Sequence, residues 1–141
     1  MTDSDEITVP KIEVFPERLR LHVQLGDAVP RFTNEVMIAK AYEAYPTLPV
    51  HSCINAKGPT FGDVAVGTSV PHLLEHLIIA EQVRIINDST PTNEATFVGT
   101  TSWSEDGTEA GKAIVEVSFL DDLQALKALR NALALVNEIV R

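Results

Sequence analysis

The sequence predicts a single α+β domain in which helices pack on one face of a small antiparallel sheet. Three observations predict it. The segment from Arg18 to Leu25 alternates strictly between polar and apolar residues, as a half-buried strand does. Two apolar-rich stretches, near 70–86 and 122–140, carry helical spacing. Two further strand-like segments flank the turn-rich SEDGTEAGK. Their order is strand, helix, loop, helix, two strands, helix, which segregates the strands instead of alternating them with helices and so favours antiparallel pairing.

The elements follow in chain order. Residues 1–10, MTDSDEITVP, are polar and acidic and end in proline, so they are expected to form a flexible tail, with the domain spanning residues 11–141. In the first strand Leu19, Leu21, Val23 and Leu25 share one face, Arg18, Arg20, His22 and Gln24 the other, and Gly26-Asp27 ends it. His22 is thereby assigned to the surface. After Pro30, Thr33 is placed to cap a helix running to Tyr45 with Val36, Met37, Ala41 and Ala44 at helical spacing, stopped by Pro46 and Pro49. Residues 50–68 contain three glycines and a proline and read as an irregular segment or a short strand followed by loops, a natural ligand-bearing region. Thr68 or Ser69 then caps a helix from Val70 to about Ile86, with Pro71 in the first turn, where its missing N–H does no harm. Residues 87–92 are a turn-rich break, and Asp106-Gly107 marks the turn between the last two strands. Asp121-Asp122 opens the terminal helix, whose stripe of Leu123, Leu126, Leu129, Ala132, Leu133, Val136 and Val140 is expected to pack on the sheet. Leu135 and Ile139, beside that stripe, are the candidate face for a homodimer.

Composition narrows the function. The formal net charge of −9 argues against nucleic acid or an anionic membrane as partner, since both ask for a dense Lys/Arg face. No apolar run approaches the length needed to cross a bilayer and no signal-peptide pattern opens the chain, so a cytoplasmic location is expected. The lone cysteine, Cys53, has no intramolecular disulfide partner and is an apolar filler, a metal ligand or a reactive thiol.

The second helix carries the chemistry. His72-Leu73-Leu74-Glu75-His76 places two histidines and a carboxylate within an otherwise apolar helix. Burying such groups is costly unless each finds a partner, and a bound cation supplies one. His-x-x-Glu-His is the inverted zinc-peptidase arrangement: histidines one turn apart reach a single metal, and the intervening glutamate takes a proton from water there. Zinc needs at least one more protein ligand, and His51 and Cys53 are the candidates, with Glu105, Glu109 and Glu116 as downstream carboxylate options.

Several ordered pieces together resemble the amino-terminal domain of cyanophycin synthetases. They are Leu25-Gly26-Asp27, Asn34-Glu35, His51 with Cys53, Gly67-Thr68 leading into the His72–His76 motif, and a closing strand pair and helix. The resemblance covers about Arg18 to Val140. It implies a compact α+β unit that binds an arginine-bearing, peptide-like polymer and hydrolyses it at a zinc site, with His72 and His76 as ligands, Glu75 as general base, and His51 or Cys53 as a further ligand. The sequence contains neither the ATP-grasp nor the Mur-ligase-like domain of those enzymes, so a freestanding relative is expected, and the segment from Lys57 to Val66 has one lysine and no arginine.

The leading expectation is therefore a zinc-dependent hydrolase of an amide bond in a peptide or peptide-like polymer. A non-catalytic polymer-binding or interaction module, acting with a separate ligase, is the alternative. A metal-dependent lyase comes third, because S-ribosylhomocysteine lyases also combine such a helix with a cysteine at the metal.

Overall fold

A computed structural model describes residues 5–55, 57–87, 96–105 and 107–141. Strand β1 (Ile7–Val14) pairs antiparallel with β2 (Arg18–Leu25), and the ladder breaks between Thr8 and Lys11. Pro10 lies at that break, where an edge strand tolerates the missing N–H. Residues 7–10 thus belong to the sheet and not to a tail: Ile7 is buried, and the Asn137 amide both accepts from its N–H (2.8 Å) and donates to its carbonyl (3.0 Å). A polar composition hid a strand that needs only one anchoring isoleucine. Residues 1–4 lie outside the described residues.

Chain order continues with α1 (Glu35–Ala44), the short strands β3 (Ser52–Asn55) and β4 (Gly58–Thr60), and α2 (Val70–Asn87). Then come β5 (Gly99–Trp103), the one-turn α3 (Gly107–Ala110), β6 (Lys112–Ser118) and α4 (Asp122–Val140). The main sheet is antiparallel throughout, in the order β1-β2-β6-β5, and β3 and β4 form a separate two-stranded hairpin. The expected α+β architecture, with helices on one face of a small antiparallel sheet, is present. Part of the expected 87–92 break and Asp106 of the expected turn fall outside the described residues. The β5–β6 connection contains α3 and ends at Gly111, whose φ of +68° and close approach to Arg31 and the Leu25 carbonyl (both 2.7 Å from a Cβ built there) admit only glycine.

Burial follows the alternation. Leu19, Leu21, Val23 and Leu25 of β2, with Ala113, Val115 and Val117 of β6, face α2 and α4. On the other face Arg18 and Arg20 lie over the Phe15 ring and bond to Glu116 (2.8 and 3.0 Å), and His22 meets Glu13 at 2.7 Å.

Two helices differ in detail from their sequence expectation. Asn34, not Thr33, caps α1, its side chain accepting the Met37 N–H at 2.9 Å, while the Thr33 hydroxyl accepts from the Gly67 N–H and donates to the Ala65 carbonyl. In α4 the buried face is Ala125, Ala128, Leu129, Ala132, Val136 and Ile139, while Leu123 is 73% exposed. Leu129, Ala132 and Val136 of the expected stripe are thus core, and Leu126, Leu133 and Val140 pack partly against it, while the buried face is turned towards Ala125 and Ala128, whose small side chains suit close helix packing. Ile139 is consequently core, which removes it from the expected dimer face, and Leu135 packs partly against the same core.

Almost every residue of α2 from Val70 to Gln82 is buried, as its apolar surround predicts. Near its C-terminal end the buried Glu81 carboxylate accepts from the hydroxyl of Tyr45, the residue that ends α1, from Asn131 of α4 (2.9 Å) and from Arg84 (2.8 and 2.9 Å). Burial opposes its charge, but these hydrogen bonds with the charges of Arg84 and Lys127 lower its pKa on balance. Among the described residues no helix is long and apolar enough to cross a membrane.

Candidate metal centre

Ser69 caps α2, its hydroxyl accepting the His72 N–H at 3.2 Å. That leaves Thr68, one turn before His72, to meet the imidazole instead: its hydroxyl is 2.8 Å from His72 Nδ1. With Nδ1 so engaged, His72 turns Nε2 towards the β3 strand, where the Cys53 sulfur lies 3.4 Å away. One turn along the helix, His76 Nδ1 is 3.2 Å from His51 Nδ1, and both rings are buried. His76 Nε2 faces Glu75 Oε2 at 3.5 Å.

The ligand atoms of Cys53, His72 and His76 all lie within 4.8 Å of one another, so this cluster can hold a metal ion. Tetrahedral zinc sets N and S ligands about 3.3–3.8 Å apart, a modest contraction of the arrangement. His51 and Cys53 precede α2 together but reach different partners. Cys53 joins the two helix histidines, whereas His51 stands behind His76, outside the converging set. A His76 Nδ1–H donating to the His51 Nδ1 lone pair leaves His76 Nε2 unprotonated, the tautomer a ligand requires. The downstream glutamates do not take part: Glu116 is on the far face of the sheet with Arg18 and Arg20, and Glu105 and Glu109 are exposed and away from the cleft.

Four further residues complete the site: Phe61, Thr101 and Gly99, to which the sequence assigned no role, and Thr68, expected there only as a helix cap or as part of the approach to the motif. Phe61 is fully buried between the histidines, its ring 4.4 Å from that of His76 at 31° and 5.2 Å from that of His72 at 76°. Thr68 orients His72, as described. Thr101 of β5 donates to Glu75 Oε1 at 2.7 Å. Gly99 makes room for the same carboxylate, since a Cβ there would stand 2.8 Å from Oε2 and 2.9 Å from Cδ and Cγ. A glycine interrupting a strand is a general signal of close approach, though not one that names the partner.

Burial sets the electrostatics. It lowers the His72 pKa, holds His51 down at about 4, and lowers His76 strongly, with the neighbouring His72 and His51 adding to the effect. All three are therefore neutral near pH 7, the metal-binding form of imidazole. Burial raises Glu75 to about 7, opposed in part by the Thr101 hydrogen bond. A cation on the adjacent donors favours its ionised form.

The cluster lies in a cleft of about 840 Å³, walled by β5 and by residues 67–69, with Phe32 among its lining residues. No known protein family, curated protein or solved structure matches this chain.

Proposed function

We propose that the protein is a zinc-dependent hydrolase of amide bonds in a peptide or peptide-like substrate, with Cys53, His72 and His76 as the metal ligands and Glu75 as general base. One observation carries this reading. Three donors suited to zinc converge in an open cleft, and a Glu75 carboxylate oxygen sits 3.5 Å from His76 Nε2. One Cys and two His suit a borderline-soft ion, and three protein ligands leave a position for water or substrate. The ordered motifs shared with the cyanophycin synthetase amino-terminal domain support the same chemistry.

Zinc at these donors supplies an acidified water and a Lewis acid for the substrate carbonyl. The residues of the chain do the rest. Glu75 Oε2 accepts the proton as the water oxygen bonds to the carbonyl carbon, while Thr101 holds Oε1 and fixes the carboxylate. When the C–N bond breaks, the same carboxyl returns the proton to the leaving amine. A cation on the adjacent donors favours the ionised carboxylate, the form that accepts this proton. His51, Thr68 and Phe61 orient the two imidazoles and keep them neutral.

Metal content and amidase activity test the reading together. The native chain should bind one zinc, Cys53→Ala and His72→Ala should lose it, and Glu75→Gln should keep zinc while losing turnover. A native chain without metal, or hydrolysis retained by Glu75→Gln, overturns the assignment.

A further inference from the structure

The open edge of β5 borders the cleft, and its geometry deepens the hydrolase reading, on which this inference rests. We infer that the substrate binds as an extended peptide adding a strand along β5, with uncharged, apolar side chains flanking the scissile amide.

The backbone pattern places the free groups. The Val98 carbonyl accepts the Ser118 N–H at 2.8 Å, and the Ser104 N–H donates to the Lys112 carbonyl at 2.9 Å. Antiparallel registers alternate, and β5 pairs Thr100 with Glu116 and Ser102 with Ile114. The backbone groups of residues 98, 100, 102 and 104 therefore point to β6, and those of Gly99, Thr101 and Trp103 point away from it. β5 is the last strand of the sheet, and among the described residues no strand pairs with its outer edge.

That edge runs past the reactive groups. Gly99 abuts Glu75, Thr101 bonds to it, and Gly99, Thr100 and Thr101 line the cleft. Adjacent strands lie about 4.8 Å apart. A peptide paired to Gly99 and Thr101 thus carries its amide bonds alongside the Glu75 carboxylate and the Cys53, His72 and His76 cluster. Main-chain hydrogen bonds supply affinity in this mode, and pockets for alternate side chains supply selectivity.

Side-chain preference follows from the walls. Phe32, Val64, Ile79, Phe97 and Val98 line the cleft, with Phe32 half exposed and Val98 72% exposed. Among the described lining residues only Lys57 and Glu75 are charged, and Glu75 is buried against β5 and bonded to Thr101. A guanidinium entering here meets no exposed carboxylate, and desolvating it without a partner is costly. Apolar side chains bury at a gain.

Residue-resolved amide hydrogen exchange on the full, zinc-loaded Glu75→Gln chain tests this, with acetyl-Ala-Phe-Ala-Val-Ala-amide as probe. Saturating peptide should slow exchange at Gly99, Thr101 and Trp103 by about 10-fold or more and leave Thr100 and Ser102, already paired to β6, nearly unchanged. N-methylating a peptide nitrogen that faces β5 should weaken binding about 2- to 10-fold. Replacing the peptide's phenylalanine by arginine should weaken it by a similar factor or more. Hydrolysis of the probe by the native chain without protection at those three amides overturns the edge mode and leaves the hydrolase reading standing. Protection without hydrolysis supports the edge mode and removes the hydrolase. Protection that grows with protein concentration in the absence of peptide assigns the edge to a second copy and overturns the proposal, and equal or tighter binding of the arginine peptide overturns the apolar preference.

Discussion

Replacing Gly99 by alanine isolates the contact between β5 and the proposed base. Gly99 does not have a positive φ, so glycine is required there for space and not for backbone conformation. The new Cβ would lie 2.8–2.9 Å from three atoms of the Glu75 side chain, whereas ordinary carbon contacts are about 3.5–4.0 Å. The carboxyl group must therefore retreat by roughly 0.7–1 Å, against a buried helix with little room to yield. Overpacking of this kind costs about 1–3 kcal/mol, offset by about 0.4–1 kcal/mol from the stiffer unfolded chain. The net loss should be about 0.5–2 kcal/mol by urea unfolding, and a misplacement near 1 Å should lower kcat/KM by about 100-fold with zinc content unchanged. The decisive measurement is a double-mutant cycle. In a Glu75→Ala background the obstructing atoms are gone, so the same Gly99→Ala change should become stabilising by about 0.4–1 kcal/mol. Equal destabilisation in both backgrounds, or full activity in the single variant, would refute the reasoning.

Other consequences can be checked alongside. His51→Ala should weaken zinc binding about 10- to 100-fold without abolishing it, as loss of an orienting hydrogen bond does; abolition in a competition titration would make His51 a ligand. In the metal-free chain, burial raises Glu75 from 4.5 to about 7, so the folded state keeps a proton that the unfolded state releases above pH 4.5. That contribution is fully present below pH 4.5 and is lost as pH rises through 7. Glu75→Gln should accordingly gain up to about 3 kcal/mol on the native chain between those limits, and parallel unfolding profiles would exclude the shift. Ile7→Ala should cost about 2–5 kcal/mol in chemical denaturation, where a residue in a flexible tail would cost almost nothing.

Much of the fold was legible because local periodicity reports faces directly. The β2 alternation and the apolar surround of α2 each predicted their burial. Phase was harder to read in α4: Leu129, Ala132 and Val136 of the expected stripe are buried, but the face is turned towards Ala125 and Ala128 and away from Leu123, because packing rewards small side chains that hydropathy ranks below leucine. β1 was missed because an edge strand with five exposed positions looks like a tail. At the site, the i, i+4 histidines were readable from residue type and spacing, with Cys53 one of several candidates to join them. Thr101, Gly99 and Phe61 were not, since each meets α2 only through long-range topology. The same reason separates His51 from Cys53, two residues apart in sequence yet meeting different histidines, His76 and His72.

Glu81 adds a polar anchor to the rotational phase that the apolar burial of α2 already favours. It lies six residues beyond Glu75, about 9 Å along the axis, and is gripped from the end of α1 and from α4 at once. A slip of one residue would swing His72 and His76 through about 100° and carry both away from Cys53. Tyr45 and Asn131, which do not line the cleft, therefore act as index pins of a dial whose pointer is the pair of imidazoles, helping to keep both in register with Cys53.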